Sequence, residues 1–166
     1  MPKTSVNGKD IKVRITKAMS DTDLETAKDL VLQYSRSLKV DLDFQDFEKE
    51  IEGFPGAYSP PQGVIFLAFL NEKVAGCVAM RPLGKGVCEM KRLFVKPEFR
   101  GFSIGVYLAE AIITEARKMG YDSIRLDTLP DMKAAQSLYS RLGFVDIPEY
   151  RHNPIKGARF MELRLH

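Results

Sequence analysis

No apolar run in this sequence is long enough to cross a bilayer: VIFLAFL (64–70) is far short of the roughly 20 residues a spanning helix needs. That excludes a membrane-spanning partner role for the apolar segments. The first ten residues, MPKTSVNGKD, are polar and lack the apolar centre of a secretory signal. Cysteine is scarce. Cys77 and Cys88 sit in apolar, strand-like runs with no His or Cys at metal-ligand spacing, which predicts buried free thiols, no metal and a cytoplasmic protein. The net charge of +3 is too small for a nucleic-acid binder. The chain shows no internal repeat and no G-x-G-x-x-G turn of the dinucleotide-binding kind.

What is present is the composition of one soluble globular domain, with 45% hydrophobic and 28% charged residues in 166. Residues 11–166 are expected to form that domain, behind a flexible tail over 1–10. Charge is unevenly spread. Residues 81–100 carry Arg81, Lys85, Lys91, Arg92, Lys96 and Arg100 against Glu89 and Glu98, whereas 41–52 carry six acids against Lys49. The first region favours an anion and the second a cation, although solvated faces produce the same asymmetry.

IKVRITKA (11–18) alternates as a strand, and Ser20 or Asp21 caps a helix over 22–38 with Leu24, Ala27, Leu30, Val31 and Tyr34 at helical spacing. Phe44, Phe47, Ile51 and Phe54 predict a short helix over 43–53. VIFLAFL and KVAGCVAM, divided by Asn71-Glu72, read as a hairpin, and VCEMKRLFV (87–95) as the next strand. A helix over 103–118 ends at Gly120. A strand over 123–128 follows, then a helix from Pro130 to about Arg141, closed by a Leu142-Gly143-Phe144 cap. Further strands follow the cap, the last at 159–165. The order predicts an α/β (α+β mixed) fold, a mixed sheet with helices on both faces. Strands 87–95 and 123–128 are parallel because their crossover must be right-handed.

The stretch RLFVKPEFRGFSIGVYLAEAI (92–112) sets a charged, glycine-flanked turn between a strand and a helix. Pro97 cannot continue a ladder, and Ser103 is placed to cap the helix. The amides of Gly101, Phe102, Ser103, Ile104, Gly105 and Val106 converge at a positive helix end beside Arg100, where a phosphate or pyrophosphate fits. Water on those donors is the alternative.

Val95, Pro97, Arg100, Gly101 and Gly105 resemble the acetyl-CoA signature of the GNAT N-acetyltransferase superfamily. Ala135, Leu138, Tyr139, Gly143 and Phe144 resemble its second motif at the family's spacing, and the likeness covers roughly residues 10–165. Two departures stand out. The loop's usual first glycine is Ser103, read here as supplying only a free amide rather than a positive φ. A frequent cofactor-contacting Asn is Met132, with Lys133 beside it as a substitute for phosphate contact.

The resemblance implies a GNAT-like sheet, mostly antiparallel, with a splayed parallel pair. It also implies acetyl-CoA as co-substrate, its pantetheine arm lying along Leu93, Phe94 and Val95 and its diphosphate on residues 100–106, with Lys133 and Ala135 on the far wall. Tyr139 then stands in the general-acid position and Glu89 in the position where some members carry a base. Asp127, His152 and water are the other takers of the proton. Residues 41–62 and 148–158 would wall the acceptor site, with Tyr58, Tyr150 and His152 as lining. The acidic 41–52 stretch suits a cationic small amine. The competing readings are a non-catalytic acyl-CoA sensor, a protein N-terminal or lysine acetyltransferase, and a dinucleotide enzyme using the same helix end. A homodimer is compatible with this likeness.

Overall fold

The structure is a computed structural model that describes residues 3–6, 9–38, 41–42 and 46–166. Alternation of Ile11 and Val13 with polar neighbours gives strand β2 (Lys9–Lys17) one covered face. Before it, β1 (Lys3–Val6) pairs antiparallel with β2, Val6 opposite Lys9 and Lys3 opposite Lys12. A segment expected as a tail therefore contributes a strand. Ladder bonds are made by the main chain, so a polar composition does not forbid them.

Helix α1 (Asp21–Ser37) starts in a full capping box. Ser20 Oγ accepts from Asp23 N–H at 3.1 Å, and Asp23 in turn accepts from the Ser20 amide. Its Leu30 and Val31 are buried. Helix α2 (Phe47–Glu52) is shorter than expected at its start; residues 43–45, including Phe44, lie outside the described residues. Strands β3 (Val64–Leu70), β4 (Lys73–Gly84) and β5 (Val87–Val95) form the expected meander, turning through Asn71 and Glu72 at φ 48° and 67°.

The remaining elements are α3 (Ile104–Lys118), β6 (Ser123–Thr128), α4 (Lys133–Arg141), β7 (Val145–Ile147) and β8 (Arg159–Arg164). Helix α4 starts three residues later than expected. Pro130 sits inside a turn closed by Met132 N–H on Leu129 O at 3.1 Å, a position proline favours. Gly143, at φ 101°, closes α4 as expected, with Phe144 N–H on Tyr139 O.

Among the described residues the sheet has eight strands in the order β1-β2-β3-β4-β5-β6-β8-β7, and β5–β6 is its parallel pair. Leu108, Ile112 and Ala116 of α3 share one buried cluster with Leu138 of α4 and with Cys88 and Ile124 of the sheet. Leu30 and Val31 of α1 share another with Leu67, Cys77 and Phe94. Each such Leu or Ile contributes roughly 1.5–3 kcal/mol. Burial pushes both Cys thiols up to about 12, so they remain inert S–H groups in the core.

Candidate active site

Parallel pairing of β5 with β6 lasts for only three residues, Val87–Glu89 opposite Ser123–Arg125. Beyond Glu89 the strands part, while β5 stays bonded to β4 and β6 to β8. A bulge in β5 causes the divergence. Cys77 and Ala79 of β4 are two residues apart, but their partners Phe94 and Lys91 are three apart. The extra residue, Arg92, takes φ 61°. Opposite Val95, Gly76 lets the two backbones close up: a Cβ there would run into the Phe94 carbonyl oxygen.

A groove of about 560 Å³ occupies the opening. One wall is Leu93, Phe94 and Val95, with an unpaired strand edge; the other is Met132, Lys133, Ala135 and Leu138. Arg100 and Gly105 stand at its end. There the first backbone bond of α3 is Tyr107 N–H to Ser103 O at 3.2 Å, so the amides of residues 104–106 are left pointing out of the helix. Phe102 packs on the core and Ile104 is buried within it, so what they offer the groove is backbone. Arg100 Nε donates to Val95 O at 3.3 Å, occupying one carbonyl of the strand edge.

Two expectations for Ser103 fail here. Its φ is 62°, so the position does require the left-handed region, and its hydroxyl makes no cap bond. The left-handed backbone that turns the chain into α3 points the side chain away from the N–H it would cap. Gly101, at φ 92°, supplies the other left-handed turn. Met132 lines the groove, its sulfur 3.9 Å from Thr128 Oγ1.

Tyr139 is buried at the floor, where a smaller cavity also touches Lys91, Leu93 and Asp127. Burial pushes its phenol up from the ordinary value, helped by Tyr34 and Asp127, so it stays protonated. Glu89 is fully buried and heavily engaged. It accepts Arg81 Nε and Nη2 at 3.0 Å, Arg151 Nη2 at 3.2 Å and Tyr150 Oη at 2.7 Å, with Lys91 Nζ at 4.0 Å. Burial alone would raise its carboxyl. Lys91, Arg151, Tyr150 and Arg81 outweigh that and hold it below the usual range. A carboxylate so held is a weaker proton acceptor than a free one. Burial pushes Lys91 down to about 7 against the pull of Glu89.

Residues 25–144 match the acetyltransferase (GNAT) family, a stretch that holds the parted strands, the free helix end and Tyr139. The chain belongs to the GNAT acetyltransferase family. It is 41% identical to an uncharacterized N-acetyltransferase of Schizosaccharomyces pombe, over 86% of this chain and 89% of that one. A GNAT-family acetyltransferase of Staphylococcus aureus Mu50 superposes with TM-score 0.76 at 22% identity, covering 93% of this chain and 100% of its own. The PaiA N-acetyltransferase of Thermoplasma acidophilum, crystallised with coenzyme A, superposes with TM-score 0.66 at 19% identity over 93% and 98%. The last two likenesses carry the fold. The GNAT family uses acetyl-CoA, and this chain is an acyltransferase of that family.

The groove of this GNAT protein fits that donor, because it joins an open strand edge to a helix end with unpartnered amides. Across Glu89 lies a second pocket of about 490 Å³, lined by Glu50, Tyr58, Arg81, Arg151 and His152 among others. Both segments expected as walls contribute residues to it, Tyr58 and the exposed His152 among them. Tyr150 instead turns its hydroxyl onto Glu89 and its ring against Phe160, 5.5 Å between centroids.

The acidic stretch meets this pocket at Asp46 and Glu50. Glu50 is clamped by Arg92, Nε and Nη2 each 2.9 Å from its two oxygens, and also accepts Tyr58 Oη at 2.9 Å. Glu50 is thus neutralised where the acidic stretch meets the pocket, and Asp46 of the same stretch also lines it. Arg81, Lys91, Arg92 and Arg151 escaped the sequence-based site assignment. The signal was the basic run 81–100, of which Arg81 is the cross-strand partner of Glu89. Asp127, the other carboxylate considered, accepts from Asn153 Nδ2 at 3.1 Å.

Proposed function

We propose that the protein transfers the acetyl group of acetyl-CoA to a primary amine of a small molecule, by direct attack within a ternary complex. The observation that carries this reading is the parting of β5 and β6 beyond Glu89, with Tyr139 at the floor of the gap. Acetyl-CoA supplies an activated thioester. The open edge at Leu93, Phe94 and Val95 supports an amide-rich arm as an added strand, and the same edge offers N–H groups to a carbonyl oxygen gaining charge. Gly101 to Val106, with Arg100 and Lys133, form the positive end suited to a diphosphate, and Ala135 keeps the far wall low.

In the transfer an N–C bond forms and the C–S bond breaks. The ammonium of a free amine, with a pKa of about 10.4, first loses a proton. Glu89 is committed to four cationic or hydroxyl partners, so that proton goes to water. Tyr139 donates to the departing sulfur, the nitrogen sheds its second proton to water as it becomes an amide, and the phenol is reprotonated from that water. Glu89 serves by fixing Arg81, Lys91 and Arg151 around the acceptor.

The test is release of free thiol from acetyl-CoA in the presence of an amine panel. No release, with acetyl-CoA still bound, would support the sensor alternative. Tyr139→Phe should lower kcat on the order of 10²-fold or more while leaving acetyl-CoA affinity within about twofold. The reverse pattern removes Tyr139 from catalysis.

A further inference from the structure

Two guanidinium groups share one carboxylate beside the outer pocket. Arg81 gives Nε and Nη2 to Glu89 Oε1, but Arg151 gives only Nη2. The Nε of Arg151 is buried and has no hydrogen-bond partner among the described residues. A buried guanidinium N–H without an acceptor is costly, and it marks a place where an acceptor oxygen belongs. Lys91 Nζ lies 4.0 Å from the same Glu89 oxygen.

Of the two acids that line the pocket, Glu50 is already engaged. Glu50 is bidentate with Arg92 and also bonded to Tyr58. Lys49 and His152 line the pocket as well, opposed by Asp46. Arg81 and Arg151 together exceed the charge of Glu89 at a partly buried site, where an ion pair is weakly screened. A second ammonium group placed here would be repelled. A carboxylate would be held by the paired, fork-shaped donors that suit it.

Position completes the case. The Glu50–Arg92 pair joins the two cavities: Glu50 lines the outer pocket, and Arg92 lines the small cavity that reaches Tyr139. At about 490 Å³ the outer pocket has room for one small molecule. Resting on the acetyl-transfer reading above, we infer that the acceptor is an amine that also carries a carboxylate, an amino acid. Arg81 and Arg151 hold its carboxylate and direct its amine past the Glu50–Arg92 pair toward Tyr139.

The experiment uses the full chain, acetyl-CoA and steady-state detection of released thiol. Matched acceptors are presented: L-amino acids, their carboxamides, the corresponding amines without a carboxyl group, and spermidine. The amino acids should exceed their amides in kcat/KM by about tenfold or more, the loss that follows removal of a charged hydrogen bond. Arg151→Gln should raise KM for the amino acid about tenfold with kcat within about twofold, and Arg151→Lys should recover part of that loss. Amides, plain amines or spermidine matching the amino acids on the wild-type protein would overturn the carboxylate site and leave the acetyltransferase reading standing. Silence from every acceptor while acetyl-CoA still binds would remove both. The wild-type comparison needs no variant, so poor folding of Arg151→Gln cannot obscure the result.

Discussion

Ser103 is held in a backbone region that costs a side-chain-bearing residue roughly 1–2 kcal/mol, and its hydroxyl returns no cap bond. Ser103→Gly should therefore raise stability by up to about 1 kcal/mol, after allowing for the greater freedom of glycine in the unfolded chain. Ser103→Ala should change it by less than about 0.5 kcal/mol, unlike the loss of a capping serine. Thermal or urea unfolding of the two variants measures both. Glu89 presents the opposite situation, a fully buried charge that its partners hold ionised. Its folded pKa lies below the unfolded one. Its contribution is therefore present above about pH 4.3 and is lost as pH falls through the folded value. Glu89→Gln should cost about 3–5 kcal/mol at pH 7, and the gap to wild type should narrow in acid. Urea midpoints at pH 7 and pH 4 check the sign. The sequence pointed to Glu89 but not to its partners, because a residue's type does not reveal how many cations surround it.

At the scale of elements, the decisive feature is a single extra residue in β5. The bulge at Arg92 turns the strand away from β6 and brings Lys91 and Arg92 into one charged cluster, while Gly76 lets β4 follow the bend. Gly76→Ala would force the Phe94 carbonyl to move. Acetyl-CoA affinity, followed by calorimetry, should fall by about tenfold or more, while far-UV circular dichroism stays that of the wild type. Undiminished affinity would show that the edge at residues 93–95 does not read the donor. The Gly84–Gly86 turn and the strand-like residues of 87–95 made the strand legible, but a bulge leaves no mark in residue type. Helix α4 was legible in the same partial way. Its C-terminal glycine fixed the end, and Pro130 marked a turn that the periodicity could not separate from the helix.

For the molecule as a whole, the parted strands are a stored vacancy in the sheet's pairing, and ligand should tighten it. Acetyl-CoA at 100 times its dissociation constant should stabilise the fold by about 2.7 kcal/mol, visible as a higher Tm, whereas NAD should not. Equal shifts from both nucleotides would contradict a groove selective for the acyl donor. Most of the fold followed from local chemistry. The capping box at Ser20, the Asn71-Glu72 turn, the glycine stop at Gly120 and the apolar runs of β3–β5 each act within a few residues. The paired motifs around Arg100 and Tyr139 also carried the family by themselves. Tertiary structure alone decided the electrostatics. Glu50 and Arg92 are 42 positions apart, and Arg151 and Glu89 are 62 apart, yet each pair is in contact. Charge interactions depend on distance and burial in three dimensions, neither of which is encoded in neighbouring residues. One acid of a stretch read along the chain, Glu50, thus became half of an ion pair in space, and basic residues distant in sequence came together around Glu89 beside the outer pocket.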